Sequence, residues 1–269
     1  MSVQAQLSPE SLGGTSALVP LDMAAEYLRI HPWRVLPLYV VAMGPFSAAM
    51  LLAIGVVSSQ HRSAVPETCV WLTAATIWRW GWIAVVQRRV QHDLKGEPPG
   101  AVVGRLLPIL LVRLVSNFAI LWGGVLLIPA FYGLFLWGLA APMLLEDDRP
   151  AWARTKATVT WIRQATGRLT RVCLSLLGLG LLLLVSVVAV QLFVVHVLLP
   201  SFLGLESADA VLTVQSRSWF LCLCYFVFVV LDLYWIVLSV MLFYDLQARR
   251  LGTDLFVRLR RLQSQARES

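Results

Sequence analysis

The chain has 269 residues, of which 58% are hydrophobic and only 14% are charged, and its mean hydropathy is +0.74. A soluble domain is typically about 45–50% apolar and about 25% charged, so this composition excludes an ordinary soluble globular protein. The net charge of +7 could suit a nucleic-acid-binding protein, but the basic residues flank apolar runs, where they orient a membrane protein. The composition therefore predicts a chain that folds in the lipid bilayer.

The apolar runs predict an all-α fold, a polytopic membrane bundle of about six transmembrane helices with short interfacial helices on the cytoplasmic side. A span needs about 20 apolar residues. The run from 106 to 145 would make a helix of about 60 Å, roughly twice the hydrocarbon thickness, so it is divided at Gly123-Gly124 and Pro129. Residues 1–20 are predicted to be a disordered tail, residues 21–246 the membrane domain, and residues 247–269 a basic cytoplasmic tail. The predicted spans are about 35–57, 70–87, 106–127, 130–145, 172–199 and 219–244.

The basic residues lie almost entirely on one side of this arrangement. The N-terminal segment, the connection after span two, the connection after span four and the C-terminal tail carry two, four, six and six of them. The opposite loops carry only Arg62 and Arg217. Because cytoplasmic loops are enriched in Lys and Arg, both termini are predicted to lie in the cytoplasm, with the spans in a bacterial inner membrane.

The sequence lacks the recognisable motifs of hydrolytic enzymes. It has no H-E-x-x-H zinc motif, no G-x-S-x-G elbow and no Walker A loop. The four cysteines have neither metal-binding spacing nor the pattern of a disulfide framework. The chain is therefore predicted to be non-enzymatic, with no catalytic residues, no metal and no cofactor.

Three charged residues fall inside predicted spans: Arg79, Arg113 and Asp232. A charge near the bilayer centre costs about 2.5–3.5 kcal/mol on insertion scales, so it usually has a partner or a water-filled cavity. We predict that Asp232 pairs with Arg79 or with Arg113. Such a pair would be either a structural pin between helices or part of a gate or ion relay, and both arginines could instead extend towards the cytoplasmic surface.

Two basic segments are predicted to form interfacial helices, Arg154–Arg171 and Asp254–Gln263. In the first, Trp152, Val159, Ile162, Thr166 and Leu169 share one side at helical spacing. Such helices contact anionic lipid head groups or a soluble protein partner. The candidate contact residues are Arg154, Lys156, Arg163, Arg168, Arg171, Arg258, Arg260 and Arg261.

Several longer stretches resemble known sequences. The segments YLRIHPWRVLPLYVVAMGPF and WRWGWIAVVQRRVQHDLKGEPP resemble a group of uncharacterised bacterial polytopic membrane proteins. The segments LIPAFYGLFLWGLAAPMLLEDD and FYDLQARRLGTDL are similar to the membrane domain associated with glycerophosphodiester phosphodiesterases. The resemblance implies six spans and a partner-dependent role, but no activity, because the catalytic barrel of those enzymes is absent from the chain.

Two functions from different classes follow from these observations. The first is a non-enzymatic scaffold or subunit of a membrane complex, with an unidentified protein partner and anionic lipid at its cytoplasmic face. The alternative is a small permease or channel that uses Arg79, Arg113 and Asp232. A permease requires a water-accessible path at those charges, whereas a scaffold requires a sealed bundle and a contact surface.

Overall fold

A computed structural model describes residues 18–59, 62–95, 102–122, 127–146, 150–193 and 208–251. Within these ranges the chain is helical and has no β-strand, which confirms the predicted all-α fold. Two 3-10 turns, Arg62–Ala64 and Val103–Arg105, precede the third and fourth helices. The α-helices of the described part are α1 (Val19–Ile30), α2 (Pro32–Ser59), α3 (Val65–Lys95), α4 (Leu106–Trp122), α5 (Leu127–Glu146), α6 (Ala151–Gln164), α7 (Thr166–Phe193) and α8 (Ala208–Leu251).

Six segments of the described chain are long and apolar enough to cross a bilayer, so the chain is a multi-pass membrane protein. The helices extend beyond several of the predicted apolar runs: α3 has 31 residues and α8 has 44. A helix continues past the hydrocarbon layer where polar side chains find partners or water, and hydropathy alone does not detect this extension. The candidate spans are Pro32–Val56, Val65–Lys95, Val103–Leu121, Pro129–Glu146, Thr166–Val190 and Leu221–Arg249.

The predicted interfacial helix between spans four and five is in fact divided between two helices. α6 ends at Gln164, and Ala165 leaves the helical conformation with φ −100° and ψ 12°. Arg168 and Arg171 consequently belong to the first turns of α7 rather than to an interfacial helix. Several predictions lie outside the described residues: the turn at Gly123-Gly124, residues 1–17 of the predicted tail 1–20, the interfacial helix Asp254–Gln263 and the residues Arg258, Arg260 and Arg261. The last two residues of that predicted tail, Val19 and Pro20, belong to α1.

The described chain divides into two compact units. Unit 1 comprises Met1–Ala42, Trp80–Val172 and Tyr234–Ser269, within the described ranges. Its core is formed chiefly by the second half of α5 and by α8 from Trp235 onwards, whose apolar side chains are almost all buried. In the same unit the backbones of α4 and α5 lie very close together. A Cβ atom added at Gly133 would lie only 2.8 Å from the Ser116 carbonyl oxygen.

Unit 2 comprises Met43–Arg79 and Cys173–Leu233, again within the described ranges. Most of α7 in this unit is exposed, and its outward side chains are chiefly leucine and valine. In a multi-pass membrane protein such side chains contact lipid. The helix approaches α8 closely at Gly180, where an added Cβ would lie 2.9 Å from Leu231 Cδ1.

Candidate functional site

Arg79 of α3 and Asp232 of α8 form a buried ion pair in unit 2. Arg79 Nη2 donates a hydrogen bond to Asp232 Oδ1, and the two side chains are 7% and 5% exposed. The two residues lie on different helices and are 153 positions apart in the chain. Of the two arginines that the sequence offered as partners of Asp232, the structure selects Arg79.

The Arg79 guanidinium also contacts α2. Its Nε donates to the Met43 sulfur at 3.1 Å. The rings of Phe46 and Phe228 lie near the guanidinium carbon, with centroids 4.9 and 5.5 Å away. Aromatic faces attract cations, and more strongly when water is excluded. The charge is therefore held by groups from α2, α3 and α8 together.

Arg113 of α4 lies in unit 1 and has different partners. Its side chain is fully buried. Nη1 donates to the Trp80 carbonyl oxygen, Nη2 donates to Gln87 Oε1 at 2.7 Å, and the Trp137 ring centroid lies 4.9 Å from the guanidinium carbon. The guanidinium thus joins α4 to α3 and α5, and the side chain does not extend to a solvated surface.

Gln87 connects this arginine to a proline in α5. Pro142 has no N–H, so the carbonyl of Gly138, four residues earlier, loses its helical donor. Gln87 Nε2 supplies a hydrogen bond to that oxygen at 2.8 Å and another to Ser239 Oγ at 2.7 Å. A neighbouring helix thereby satisfies a backbone group that lipid could not satisfy.

We expect Arg113→Leu to destabilise the protein by about 1–3 kcal/mol, because the buried Gln87 oxygen loses a donor. The measurement is the unfolding transition of the purified protein in mild detergent. Leu114→Ala, at an exposed position on the same helix, is the matched control and should leave the transition nearly unchanged. An Arg113→Leu protein as stable as the control would show that the arginine is not a structural contact.

A second group of charges ties together one end of the unit 1 helices. We call the carboxylates Asp93, Glu146 and Asp245 with their bound cations and phenols the ionic layer. Asp93, near the end of α3, accepts a hydrogen bond from Tyr27 of α1 at 2.9 Å. It also pairs with Arg34 at 3.2 Å and Arg89 at 3.6 Å, although its side chain is only 6% exposed.

The Tyr27 hydroxyl is a permanent donor in this layer. Burial raises the pKa of the Tyr27 phenol, and the neighbouring Asp93 carboxylate raises this pKa further. The phenol therefore stays protonated across the physiological pH range. The hydrogen bond holds α1 against the end of α3, and Tyr234 holds the start of α1 by donating to the Leu21 carbonyl oxygen at 2.7 Å.

Glu146, the last residue of α5, is the second carboxylate of the layer. It pairs with Lys95 of α3 and accepts a hydrogen bond from the Tyr244 hydroxyl of α8 at 3.2 Å. Its side chain is 15% exposed. The last residues of α3 and α5 therefore meet the C-terminal part of α8 at this carboxylate.

Asp245 of α8 is the third carboxylate and is fully buried. Arg168 Nη2 donates a hydrogen bond to Asp245 Oδ1 at 3.1 Å, and Arg168 Nε lies 3.1 Å from Oδ2 in an ion-pair contact. Arg249 Nε lies 3.2 Å from Oδ1. This carboxylate thus joins the start of α7 to the end of α8.

The C-terminal end of α5 is stabilised by two arginines. Its last carbonyl groups have no helical donor. Both Arg105 and Arg154 donate to the Leu144 oxygen at 2.6 Å. Arg154 is only 6% exposed and faces the protein, so its predicted contact with lipid or a partner does not fit the structure.

The remaining basic candidates divide in the same way. Arg168 forms an ion pair with Asp245, and its side chain is 13% exposed. Lys156 and Arg163 of α6 and Arg171 of α7 are exposed, as the sequence interpretation requires. The sequence interpretation missed Asp93, Glu146 and Asp245, although each is a carboxylate near a helix end in a basic segment, a pattern that indicates ion pairing.

The comparisons add no function to this geometry. No protein-family model matches the chain, and no curated protein or solved structure matches it either. Within the described ranges, no three His, Cys, Asp or Glu residues lie close enough together to hold a metal ion. What the arrangement does chemically is hold transmembrane helices together through charge-assisted hydrogen bonds.

Proposed function

We propose that the protein is a non-enzymatic scaffold or subunit of a membrane complex in a bacterial inner membrane. One observation carries the proposal: each buried intramembrane arginine is held by groups of neighbouring helices. Arg79 has Asp232, a sulfur and two aromatic rings, and Arg113 has a carbonyl, an amide oxygen and a third ring. Charges that are bound in this way act as pins between helices.

The ionic layer supports the orientation with both termini in the cytoplasm. It lies at the ends of α3 and α5 and the starts of α2 and α7, which is the side where the sequence concentrates Lys and Arg. Cytoplasmic flanks carry this excess of basic residues. The resemblance to the membrane domain of glycerophosphodiester phosphodiesterases, which brings no catalytic residues, also favours a role that depends on a protein partner.

The experiment that tests the proposal is affinity purification of the tagged full chain from its own membrane in mild detergent, followed by mass spectrometry. A scaffold should retain a protein partner at a constant molar ratio through two successive purification steps. A tagged multi-pass protein expressed at the same level is the control for non-specific capture. A protein that purifies alone in repeated experiments would contradict the subunit function.

The permease alternative predicts a different result with the same material. Purified protein reconstituted into vesicles would then conduct ions above the level of protein-free vesicles, and Asp232→Asn would abolish that conduction. We expect no ion flux above background from the wild-type protein. Flux that depends on Asp232 would replace the scaffold function with transport.

A further inference from the structure

The outward face of α6 differs from the face expected from the sequence. Trp152 is 77% exposed and Val159 is 39% exposed, and Lys156 and Arg163 are exposed as well. These positions follow one another at steps of four, three and four residues, so they form a single line along the helix. We call Trp152, Lys156, Val159 and Arg163 the α6 stripe. It combines an aromatic residue, an aliphatic residue and two cations.

The opposite side of α6 is held by unit 1. Arg154 donates to the Leu144 oxygen at 2.6 Å, Thr158 donates to a methionine sulfur, and Ile162 is fully buried. These three positions repeat at steps of four residues and therefore share the other face of the helix. A rotation of α6 that turned the stripe inwards would break both hydrogen bonds and expose Ile162. The stripe therefore faces outwards as long as the protein is folded.

The chain connectivity places α6 at the edge of the membrane. The span of α5 ends at Glu146 and the span of α7 begins at Thr166, and α6 joins the two. Only a few residues separate α6 from either span, so we place the helix at the level of the lipid head groups. Tryptophan is enriched at that level, and basic residues there are attracted to anionic lipid.

We propose that the α6 stripe binds the head group of an anionic phospholipid, with Lys156 and Arg163 contacting the phosphate. Trp152 and Val159 contact the apolar region next to it, which explains why they are exposed at a membrane edge. A lipid fits all four side chains at once, whereas an acidic soluble protein would use the cations and leave the tryptophan and the valine without a match. The inference rests on the proposed function because it adds a lipid to the partners of the scaffold.

The test uses the purified full chain in a neutral detergent. It is titrated with phosphatidylglycerol labelled on an acyl chain and, separately, with identically labelled phosphatidylcholine. The wild-type protein should prefer phosphatidylglycerol, and Lys156→Gln with Arg163→Gln should weaken its binding about 25-fold, because each basic residue near an anionic surface contributes roughly fivefold. The preference should also fall at high salt, since the Debye length shortens.

Two further variants make the outcome specific to the stripe. Arg29→Gln removes a basic side chain that is 78% exposed on α1, and it should keep the wild-type preference for phosphatidylglycerol. Trp152→Ala should weaken the binding of both lipids by the same factor, because an indole does not distinguish the charges of their head groups. Unfolding transitions that match the wild type establish that the variants are folded, as expected for exposed positions.

Two results would overturn the proposal. One is equal affinity of the wild-type protein for the two lipids. The other is an unchanged preference in the double variant, and if that variant also loses an acidic protein in affinity purification, the stripe binds protein instead. Lipid titration and partner purification are separate measurements, so failure of the lipid site leaves the scaffold result intact, and failure of the scaffold leaves the lipid result intact.

Discussion

Asp232→Ala is expected to lower the yield of folded protein sharply, because it leaves the Arg79 guanidinium buried without its carboxylate. Removing one partner of a buried ion pair typically costs about 3–5 kcal/mol, a large part of the stability of a domain. Arg79→Ala should cause a similar loss, since Asp232 is only 5% exposed and would lose its guanidinium partner. The yield of monodisperse protein after detergent extraction measures both effects.

The double variant Arg79→Met with Asp232→Leu separates a structural pin from a functional pair. Replacing both members of a buried ion pair by apolar residues is often neutral or stabilising, so the yield should return to near the wild-type value. If the ion pair only stabilises the fold, binding of the protein partner should be restored together with the yield. A double variant that folds well but no longer binds the partner, or no longer conducts ions, would show that the charges themselves are functional. Normal yield from both single variants would disprove the pairing as a stabilising contact.

Gly133→Ala is expected to destabilise the protein by about 1–3 kcal/mol, the usual cost of overpacking. The added Cβ would lie 2.8 Å from the Ser116 carbonyl oxygen, 3.0 Å from Ile120 Cγ1 and 3.1 Å from Ala119 Cβ. The backbone oxygen cannot rotate away as the end of a side chain could, so α4 and α5 must separate. The unfolding transition in detergent measures the loss, and a longer side chain should increase it.

Gly178→Ala is the matched control and has the opposite expected sign. Gly178 lies in α7, and a Cβ atom there would meet nothing within 4 Å. Replacing glycine by alanine inside a helix usually gains about 0.5–1 kcal/mol, since glycine loses more conformational freedom on folding. Equal effects of the two substitutions would show that the close approach of α4 and α5 does not control stability.

The sequence by itself determined the all-α class and the six apolar helices that make this a multi-pass membrane protein. Long apolar runs bounded by charges can be stable only as helices in lipid, because every backbone polar group must be satisfied within the helix. The position of Arg79, Arg113 and Asp232 within the candidate spans was also predictable, since a charge inside an apolar run stands out. The ends of the helices could not be predicted from hydropathy, because α3 and α8 continue beyond their apolar residues.

The tertiary structure alone decided which charges meet. Asp232 had two possible arginine partners at similar predicted depths. The depth of a residue does not tell which neighbouring helix its side chain contacts. Likewise, Arg154 and Lys156 are two positions apart in the same basic segment, yet the first is buried against the end of α5 and the second is exposed. Free carbonyl groups at a helix end attract whichever donor the packing brings near them. Partners of this kind are set by the packing of one helix against another, which local patterns of charge and hydropathy do not record.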